Sequence, residues 1–127
     1  MIVDDSRSVR MTERNLLALL GHSEILEAVD GVDALAKLKE ASYKVDLIIS
    51  DINMPNMDGL QLVQQLRALP ETKAVPIVMV TTEVGRETVQ KAIQAGATAY
   101  LVKPFTAESF RQRLQQITGQ PQVAPGS

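Results

Sequence analysis

Polar side chains stand at the ends of four short apolar runs of the chain, where a fold could bring them together. They are three carboxylates, a hydroxyl group and an ammonium group, namely Asp4, Asp5, Asp51, Thr81 and Lys103. Three carboxylates in one place repel one another unless a cation joins them. Oxygen ligands without His or Cys suit a hard cation, and Mg²⁺ fits best. These residues therefore predict a magnesium site with a lysine beside it.

A site of this composition could transfer a phosphoryl group. Once a metal ion neutralises part of the negative charge, one carboxylate can attack phosphorus as a nucleophile. Mg²⁺ and Lys103 would stabilise the charge on the transferred oxygens, and the hydroxyl of Thr81 would donate a hydrogen bond to them. The chain contains no cysteine, so thiolate metal sites, disulfides and cysteine nucleophiles are excluded.

The apolar runs of the chain, four of which carry these residues at their ends, are typical of strands in a parallel sheet. There are five of them, at Met1–Val3, Ile25–Val29, Val45–Ser50, Ile77–Thr81 and Ala99–Val102. In the third and fourth runs apolar residues follow one another without alternation, as expected of strands that are buried on both faces. The runs therefore predict five buried strands.

The stretches between the runs have helical periodicity, as Phe110, Leu114 and Ile117 illustrate with their i, i+4, i+7 spacing. Residues that suit helix starts and helix ends flank these stretches, namely Asp30, Asp58 and Thr106 before them and Gly21, Pro70, Gly96 and Gly119 after them. Gln61 is a capping-box partner for Asp58. Five strands that alternate with five helices predict an α/β fold with a doubly wound, five-stranded parallel sheet.

A sheet of this kind explains how the distant polar residues could meet. Ligands of open parallel sheets bind outside the carboxyl ends of the strands, which is where these residues stand. Residues 1–118 are predicted to form one domain. The segment 119–127, with two prolines and a glycine, is predicted to be a disordered tail or a linker remnant.

The composition narrows the classes of function. The chain has 127 residues and a net charge of −2, and 3% of its residues are aromatic. Neither a dominant basic surface nor aromatic stacking is then available for direct nucleic-acid binding. No apolar run approaches the roughly 18 residues of a membrane span, and no signal-peptide pattern opens the chain. The default expectation is a cytoplasmic protein that does not insert into membranes.

These residues together resemble the receiver domain of two-component response regulators. The stretch DINMPNMDG at 51–59 is similar to the loop around the phosphoacceptor in that family, and AGATAYLVKPF at 95–105 is similar to its last strand and the turn beyond. The resemblance covers residues 1 to about 118 and implies the flavodoxin-like strand order 2-1-3-4-5. Within the family, the chain is most similar to single-domain chemotaxis response regulators, through the run NMPNMDG and the positions Val80, Thr81, Glu83 and Tyr100.

The resemblance implies how the acceptor and the metal are arranged. Asp51 would accept a phosphoryl group from a histidine kinase in a Mg²⁺-dependent reaction. Asp4, Asp5, Asp51 and the backbone carbonyl of Asn53 would bind the metal. Asn53 and Glu83 would tune dephosphorylation. Phosphorylation and dephosphorylation catalysed on the chain's own side chain would not make it an enzyme in the usual sense.

The resemblance also implies how the signal leaves the site. Lys103 would pair with the phosphate, and the Lys103–Pro104 bond would be cis, which is accessible because it precedes proline. Thr81 and Tyr100 would act as a switch toward the surface of the fourth helix, fifth strand and fifth helix, where a downstream protein target binds. A monomer or a phosphorylation-dependent dimer would be expected.

Two interpretations of the output stay open. No DNA-binding or catalytic domain follows residue 118, which favours a stand-alone regulator that acts by protein contact. The alternative is a receiver domain excised from a longer response regulator. Only three residues precede Asp4, which is short for the first strand of this family, and whether the beginning of that strand is missing stays open.

Functions of other classes fit the residues less well. A haloacid-dehalogenase-type phosphatase also places a nucleophilic Asp after a parallel strand, but it needs a second Asp two residues later, where this chain has Asn53. A flavodoxin-like cofactor carrier needs a phosphate-binding loop after the first strand, and Asp4 and Asp5 would repel that phosphate. A signalling switch is therefore the favoured hypothesis.

Overall fold

Short strands and longer helices alternate along the chain. The structure is a computed structural model that describes residues 1–82 and 85–118. Its elements are β1 (Ile2–Val3), α1 (Arg7–Leu19), β2 (Glu27–Ala28), α2 (Gly31–Glu40), β3 (Ile48–Asp51), α3 (Gly59–Ala68), β4 (Ile77–Thr81), α4 (Arg86–Ala95), β5 (Ala99–Val102) and α5 (Ala107–Thr118). The predictions for Glu83 and for the segment 119–127 fall outside the described residues.

The strands form one parallel sheet in the order β2-β1-β3-β4-β5. This confirms the predicted doubly wound fold and its strand order. In the register, Val3 pairs with Ser50. Asp4 and Asp51, which come next along their strands, therefore stand side by side at the carboxyl edge of the sheet.

The first three strands are shorter than the sequence predicts. The prediction that β1 begins at Met1, that β2 extends over Ile25–Val29 and that β3 begins at Val45 is wrong. The Val45 N–H donates to the Tyr43 carbonyl at 3.0 Å, a local turn that a strand cannot contain. Hydrophobicity predicts burial, whereas a strand also needs a neighbouring backbone in register.

Apolar side chains cover both faces of the sheet. Ile48 and Ile77 belong to a core that α2, α3 and α4 pack against, whereas Ile49 and Val78 belong to a second core under α1 and α5. Successive residues of a strand point to opposite faces. Because both faces are buried, both sets are apolar, which explains the unbroken apolar runs.

The predicted helix starts, and the predicted helix ends that lie within the described residues, are confirmed, whereas Gly119 lies outside those residues. Asp30 Oδ1 accepts a hydrogen bond from the first turn of α2, and Thr106 Oγ1 does the same for α5. Asp58 and Gln61 form the predicted capping box, with reciprocal bonds of 2.8 and 3.1 Å. Gly96 follows α4 with φ of 113°, a left-handed conformation that glycine adopts without strain.

Candidate functional site

The carboxylates of Asp4, Asp5 and Asp51 converge at the carboxyl edge of the sheet. One oxygen atom from each lies within 4.8 Å of the others. Asp4 is buried at the end of β1, and Asp5 is exposed. The Ser6 N–H donates to Asp4 Oδ1 at 2.8 Å, and Arg10 Nη1 donates to the Asp4 carbonyl at 2.7 Å. These bonds fix the turn between β1 and α1 and so orient the acidic pair.

This set of donors suits a divalent cation. All three ligands are hard oxygen atoms, which Mg²⁺ prefers. Within the part of the chain that the structure describes, one ammonium group, from Lys103, forms ion pairs with this cluster. Three carboxyl groups beside one ammonium form an excess of acidic groups that a divalent cation would balance. The exposed side chain of Asp5 leaves the site open to water and to a phosphate group.

The side chain of Lys103 bridges two of the carboxylates. Its Nζ lies 3.3 Å from Asp4 Oδ2 and 3.5 Å from Asp51 Oδ2. The Lys103 backbone N–H donates to the Thr81 carbonyl at 2.7 Å, which ties the end of β5 to the end of β4. The Lys103–Pro104 peptide is cis, the isomer that the resemblance implies. The ammonium group is thereby held next to the candidate acceptor.

Burial and charge shift the pKa values of this pair. Burial raises the pKa of Asp51, and the charge of Asp4 raises it further, while the neighbouring Lys103 opposes the shift. For Lys103, burial lowers the pKa, but the charges of Asp51 and Asp4 outweigh it and the net shift is upward. Lys103 therefore stays protonated at neutral pH, as a group that stabilises phosphate oxygens must.

The candidate switch residues, Thr81 and Tyr100, lie on β4 and β5. Thr81 is buried at the end of β4 and pairs in register with Val102. Tyr100 is half-buried on β5 and packs against the core under α4. The guanidinium carbon of Arg113 lies 5.6 Å from the centre of its ring, a cation–π contact with α5. Thr81 and Tyr100 thus lie between the acidic site and the helices next to β5.

The loop between β3 and α3 carries Asn53, whose side chain is exposed. The Gly59 N–H donates to the Ile52 carbonyl at 2.7 Å and closes this loop at its far end. A Cβ atom at Gly59 would lie 2.2 Å from the Asp51 carbonyl oxygen, so a side chain cannot fit there. Gly59 therefore belongs to the site as a residue that lets the backbone approach Asp51, a role that sequence reasoning missed.

Sequence reasoning also missed Glu13, which is 1% exposed on α1. Among the described residues, its Oε2 atom has no hydrogen-bond partner. Burial, followed by the charge of Asp4, raises the pKa of Glu13 to about 8. A signal was available, because Val9, Glu13 and Leu17 follow one another at intervals of four residues. That spacing puts a carboxyl group on the apolar stripe of the helix.

Comparison with protein families identifies one match that covers most of the chain. The family described as the response regulator receiver domain matches residues 1–115. Chemotaxis protein CheY1 of Helicobacter pylori strain J99 is 42% identical over 119 residues, which are 94% of this chain and 95% of that protein. A chemotaxis protein CheY homologue of Campylobacter jejuni is 42% identical over 94% of this chain and 91% of its own length.

Solved structures with the same fold support this relationship. Chemotaxis response regulator CheY4 of Vibrio cholerae superposes with a TM-score of 0.84 at 42% identity, covering 91% of this chain and 94% of that one. The receiver domain of a sensor histidine kinase from Pseudomonas aeruginosa has a TM-score of 0.82 at 26% identity, with 94% and 95% coverage. That structure has a magnesium ion coordinated in its active-site cleft. Among the residues described for this chain, no helix has both the length and the hydropathy to cross a membrane.

Proposed function

The chain belongs to the response regulator receiver domain family, and from that membership we propose that it is a signalling switch in which Asp51 accepts a phosphoryl group from a histidine kinase. The observation that carries the proposal is the convergence of Asp4, Asp5, Asp51 and the Lys103 ammonium group at one edge of the sheet. Receiver domains are signalling proteins rather than classical enzymes. A kinase as donor and a protein as target follow from the family.

The transfer step uses the carboxylate of Asp51 as the nucleophile. One of its oxygens attacks phosphorus and forms an acyl phosphate, while the bond from phosphorus to the donor's imidazole nitrogen breaks. The electron pair of that bond stays on the nitrogen, which then takes up a proton. Lys103 stabilises the charge that develops on the phosphoryl oxygens. In dephosphorylation, water attacks phosphorus, orthophosphate leaves, and the carboxylate of Asp51 is restored.

Magnesium is the cofactor that this donor set favours. Asp4, Asp5, Asp51 and the backbone carbonyl of Asn53 would hold it, and when bound it would supply positive charge to the phosphoryl oxygens. Asp4 is the buried member, and its pairing with Lys103 orients both side chains. Asp5 is the exposed member and gives the cation access from solvent. Asn53 and, beyond the described residues, Glu83 would tune the rate at which water reaches the phosphoryl group.

The signal would leave through Thr81 and Tyr100. The Thr81 hydroxyl would move to hydrogen-bond the phosphoryl group, and the ring of Tyr100 would turn inward behind it. The contact between Arg113 and the Tyr100 ring links this movement to α5. A change of charge at the site would thus bias the surface formed by α4, β5 and α5, where a downstream protein binds.

The relatives favour a chemotaxis-type regulator. The similar proteins from Helicobacter pylori and Campylobacter jejuni are chemotaxis proteins of nearly the same length as this chain. A stand-alone receiver domain at residues 1–118, acting in the cytoplasm as a monomer or a phosphorylation-dependent dimer, is the corresponding proposal. The alternative is the receiver domain of a longer response regulator.

The proposal predicts that acetyl phosphate and Mg²⁺ label the chain at Asp51. Intact-mass spectrometry should find the mass of one phosphoryl group added to the parent, and no addition in Asp51→Asn or in the presence of a chelator. Asp46→Asn is a matched control, since Asp46 is exposed at the opposite end of β3. It should be labelled like the parent.

Three results would contradict this assignment. Labelling that persists in Asp51→Asn would show that Asp51 is not the acceptor. Labelling that does not depend on Mg²⁺ would show that the reaction does not need the metal. Continuous release of phosphate from an ester substrate, with Asp51 intact, would instead indicate a phosphatase.

A further inference from the structure

A contact between the loop after β3 and the start of α2 lies outside the residues assigned so far. Asn56 Nδ2 donates to Asp30 Oδ2 at 2.8 Å. Next to this bond, the Gly31 N–H donates to the Met57 carbonyl at 3.3 Å. A Cβ atom at Gly31 would lie 2.6 Å from Met57 Cγ, so the two segments are tightly packed. We refer to the Asn56–Asp30 bond as the clasp.

Asp30 is well suited to hold a neighbouring side chain in place. It is buried, with 7% of its surface exposed. Its Oδ1 atom caps α2 by accepting the Asp33 N–H at 2.8 Å, which leaves Oδ2 for Asn56. The hydrogen bond from the Asp33 N–H has the larger effect, and with the bond from Asn56 it lowers the pKa of Asp30. Asp30 is therefore ionised at neutral pH. An amide that donates to an ionised carboxylate makes a stronger bond than one between neutral groups.

The loop is held by two hydrogen bonds, one across its ends and one from within it. At the clasp, Asn56 has φ of 66°, a left-handed conformation that asparagine adopts more readily than most residues. At the start of α3, the Gly59 N–H donates to the Ile52 carbonyl. Asn53, whose carbonyl is the proposed backbone ligand for the metal, lies in the sequence between Ile52 and Asn56, the loop residues that these two bonds hold. Its position therefore depends on them.

We propose that the clasp holds the loop in the conformation that presents the Asn53 carbonyl to the metal, which makes Asn56 a positioning residue for Mg²⁺ binding. The inference rests on the proposed function, because that function assigns Mg²⁺ to the acidic site. A loop that is already ordered loses less conformational entropy when a ligand binds. Opening the clasp should therefore weaken Mg²⁺ binding although Asn56 does not contact the metal.

For the substitution Asn56→Asp, electrostatic attraction alone predicts the opposite change in Mg²⁺ affinity. Asn56→Asp adds a negative charge to the loop that leads from the acidic site, and on electrostatic grounds this would strengthen the binding of a divalent cation. In the clasp account, the new carboxylate faces that of Asp30 and repels it, so the loop is released and binding weakens. The direction of the change therefore distinguishes the two explanations.

A double substitution can restore the clasp with its partners exchanged. In Asp30→Asn with Asn56→Asp, the amide comes from α2 and the carboxylate from the loop, so one donor again faces one acceptor. Asparagine also caps helices, and aspartate also tolerates a positive φ. Asn56→Gly is a further variant, because glycine keeps the backbone conformation and lacks the amide.

Isothermal titration calorimetry with Mg²⁺ alone, without any phosphodonor, tests the clasp. We expect affinity to fall about 3- to 10-fold in Asn56→Asp and in Asn56→Gly, and to return to within about 2-fold of the parent in the double variant. Asn15→Asp adds the same charge on the exposed side of α1 and should bind Mg²⁺ at least as well as the parent. Circular dichroism shows which variants are folded, and Asn56→Gly keeps the test valid if Asn56→Asp does not fold.

The possible outcomes distinguish a failure of the clasp proposal from a failure of the proposed function on which it rests. Unchanged or tighter Mg²⁺ binding in folded Asn56→Asp, or a folded double variant that stays as weak as the single one, would overturn the clasp alone. A parent chain that binds no Mg²⁺ would overturn the metal site and the clasp together. Recovery in the double variant would support the clasp, since a merely destabilised loop would not be rescued by exchanging the two side chains.

Discussion

Glu13 lies one turn before the buried Leu17 on α1, and among the described residues its Oε2 atom has no hydrogen-bond partner. Its pKa is raised from 4.5 to about 8, by burial first and then by the charge of Asp4. The folded chain therefore keeps a proton that the unfolded chain releases between these two pH values. The stability linked to this proton is fully present below pH 4.5 and is lost as the pH rises through about 8.

This linkage predicts that Glu13→Gln flattens the dependence of stability on pH. In urea unfolding between about pH 5 and pH 8, the parent should lose more stability than the variant, by at most about 1.4 kcal/mol per pH unit. Asp51 also has a raised pKa, but it is present in both chains, so the difference reports on Glu13 and its coupling to Asp4, Lys103 and Asp51. Parallel profiles for the two proteins would show that Glu13 is ionised or solvated in the fold.

At the scale of elements, the junction between β3 and α3 is tightly constrained by backbone contacts. The strand must end at Asp51, and the helix must begin eight residues later at Gly59. The backbone of Gly59 approaches both the Asp51 and the Ile52 carbonyls. The capping box of Asp58 and Gln61 fixes the direction of the helix from the same point. Local capping and close backbone approach together set where the candidate acceptor lies.

Gly59→Ala is expected to destabilise the fold and to impair the site. The added Cβ would lie 2.2 Å from the Asp51 carbonyl oxygen, and overpacking of this kind costs about 1–3 kcal/mol in the free energy of unfolding. Urea unfolding measures the loss, and acetyl phosphate labelling should fall as well, since the backbone of Asp51 must move. Gly85→Ala is the matched control, because no atom of the described residues lies within 4 Å of a Cβ there. Equal stability of the two variants would contradict the close approach.

For the molecule as a whole, the sequence predicts the fold well because local and long-range signals agree. Unbroken apolar runs such as that at Ile77–Thr81 require a sheet covered on both faces, and the structure has two cores that meet this need. The predicted strand order and the predicted caps at Asp30 and Asp58 are confirmed. Strand ends were predicted less well, since Val45 is buried in part but turns back on Tyr43.

The sequence predicts the site residues that stand at strand ends, but not those whose role depends on tertiary contacts. Asp4, Asp51 and Lys103 could be found because each stands at a strand end, and strand ends of a parallel sheet share one edge. Glu13, Asn56 and Gly59 were not assigned to the site. Their importance depends on tertiary contacts, namely a buried helix face, a bond to Asp30 and a backbone oxygen near a missing Cβ. For Asn56 and Gly59 no local pattern in the sequence contains that information, whereas for Glu13 the four-residue spacing described above was a signal.

The most direct measurement of the central claim is a crystal structure of the chain grown with Mg²⁺ and beryllofluoride, a mimic of the phosphoryl group. We expect the beryllium on a carboxylate oxygen of Asp51 and the Lys103 ammonium within hydrogen-bond distance of its fluorides. Mg²⁺ should lie in the site formed by Asp4, Asp5, Asp51 and the Asn53 carbonyl. Crystals that contain both ions in solution but show no adduct at Asp51, or an adduct on another carboxylate, would contradict the account.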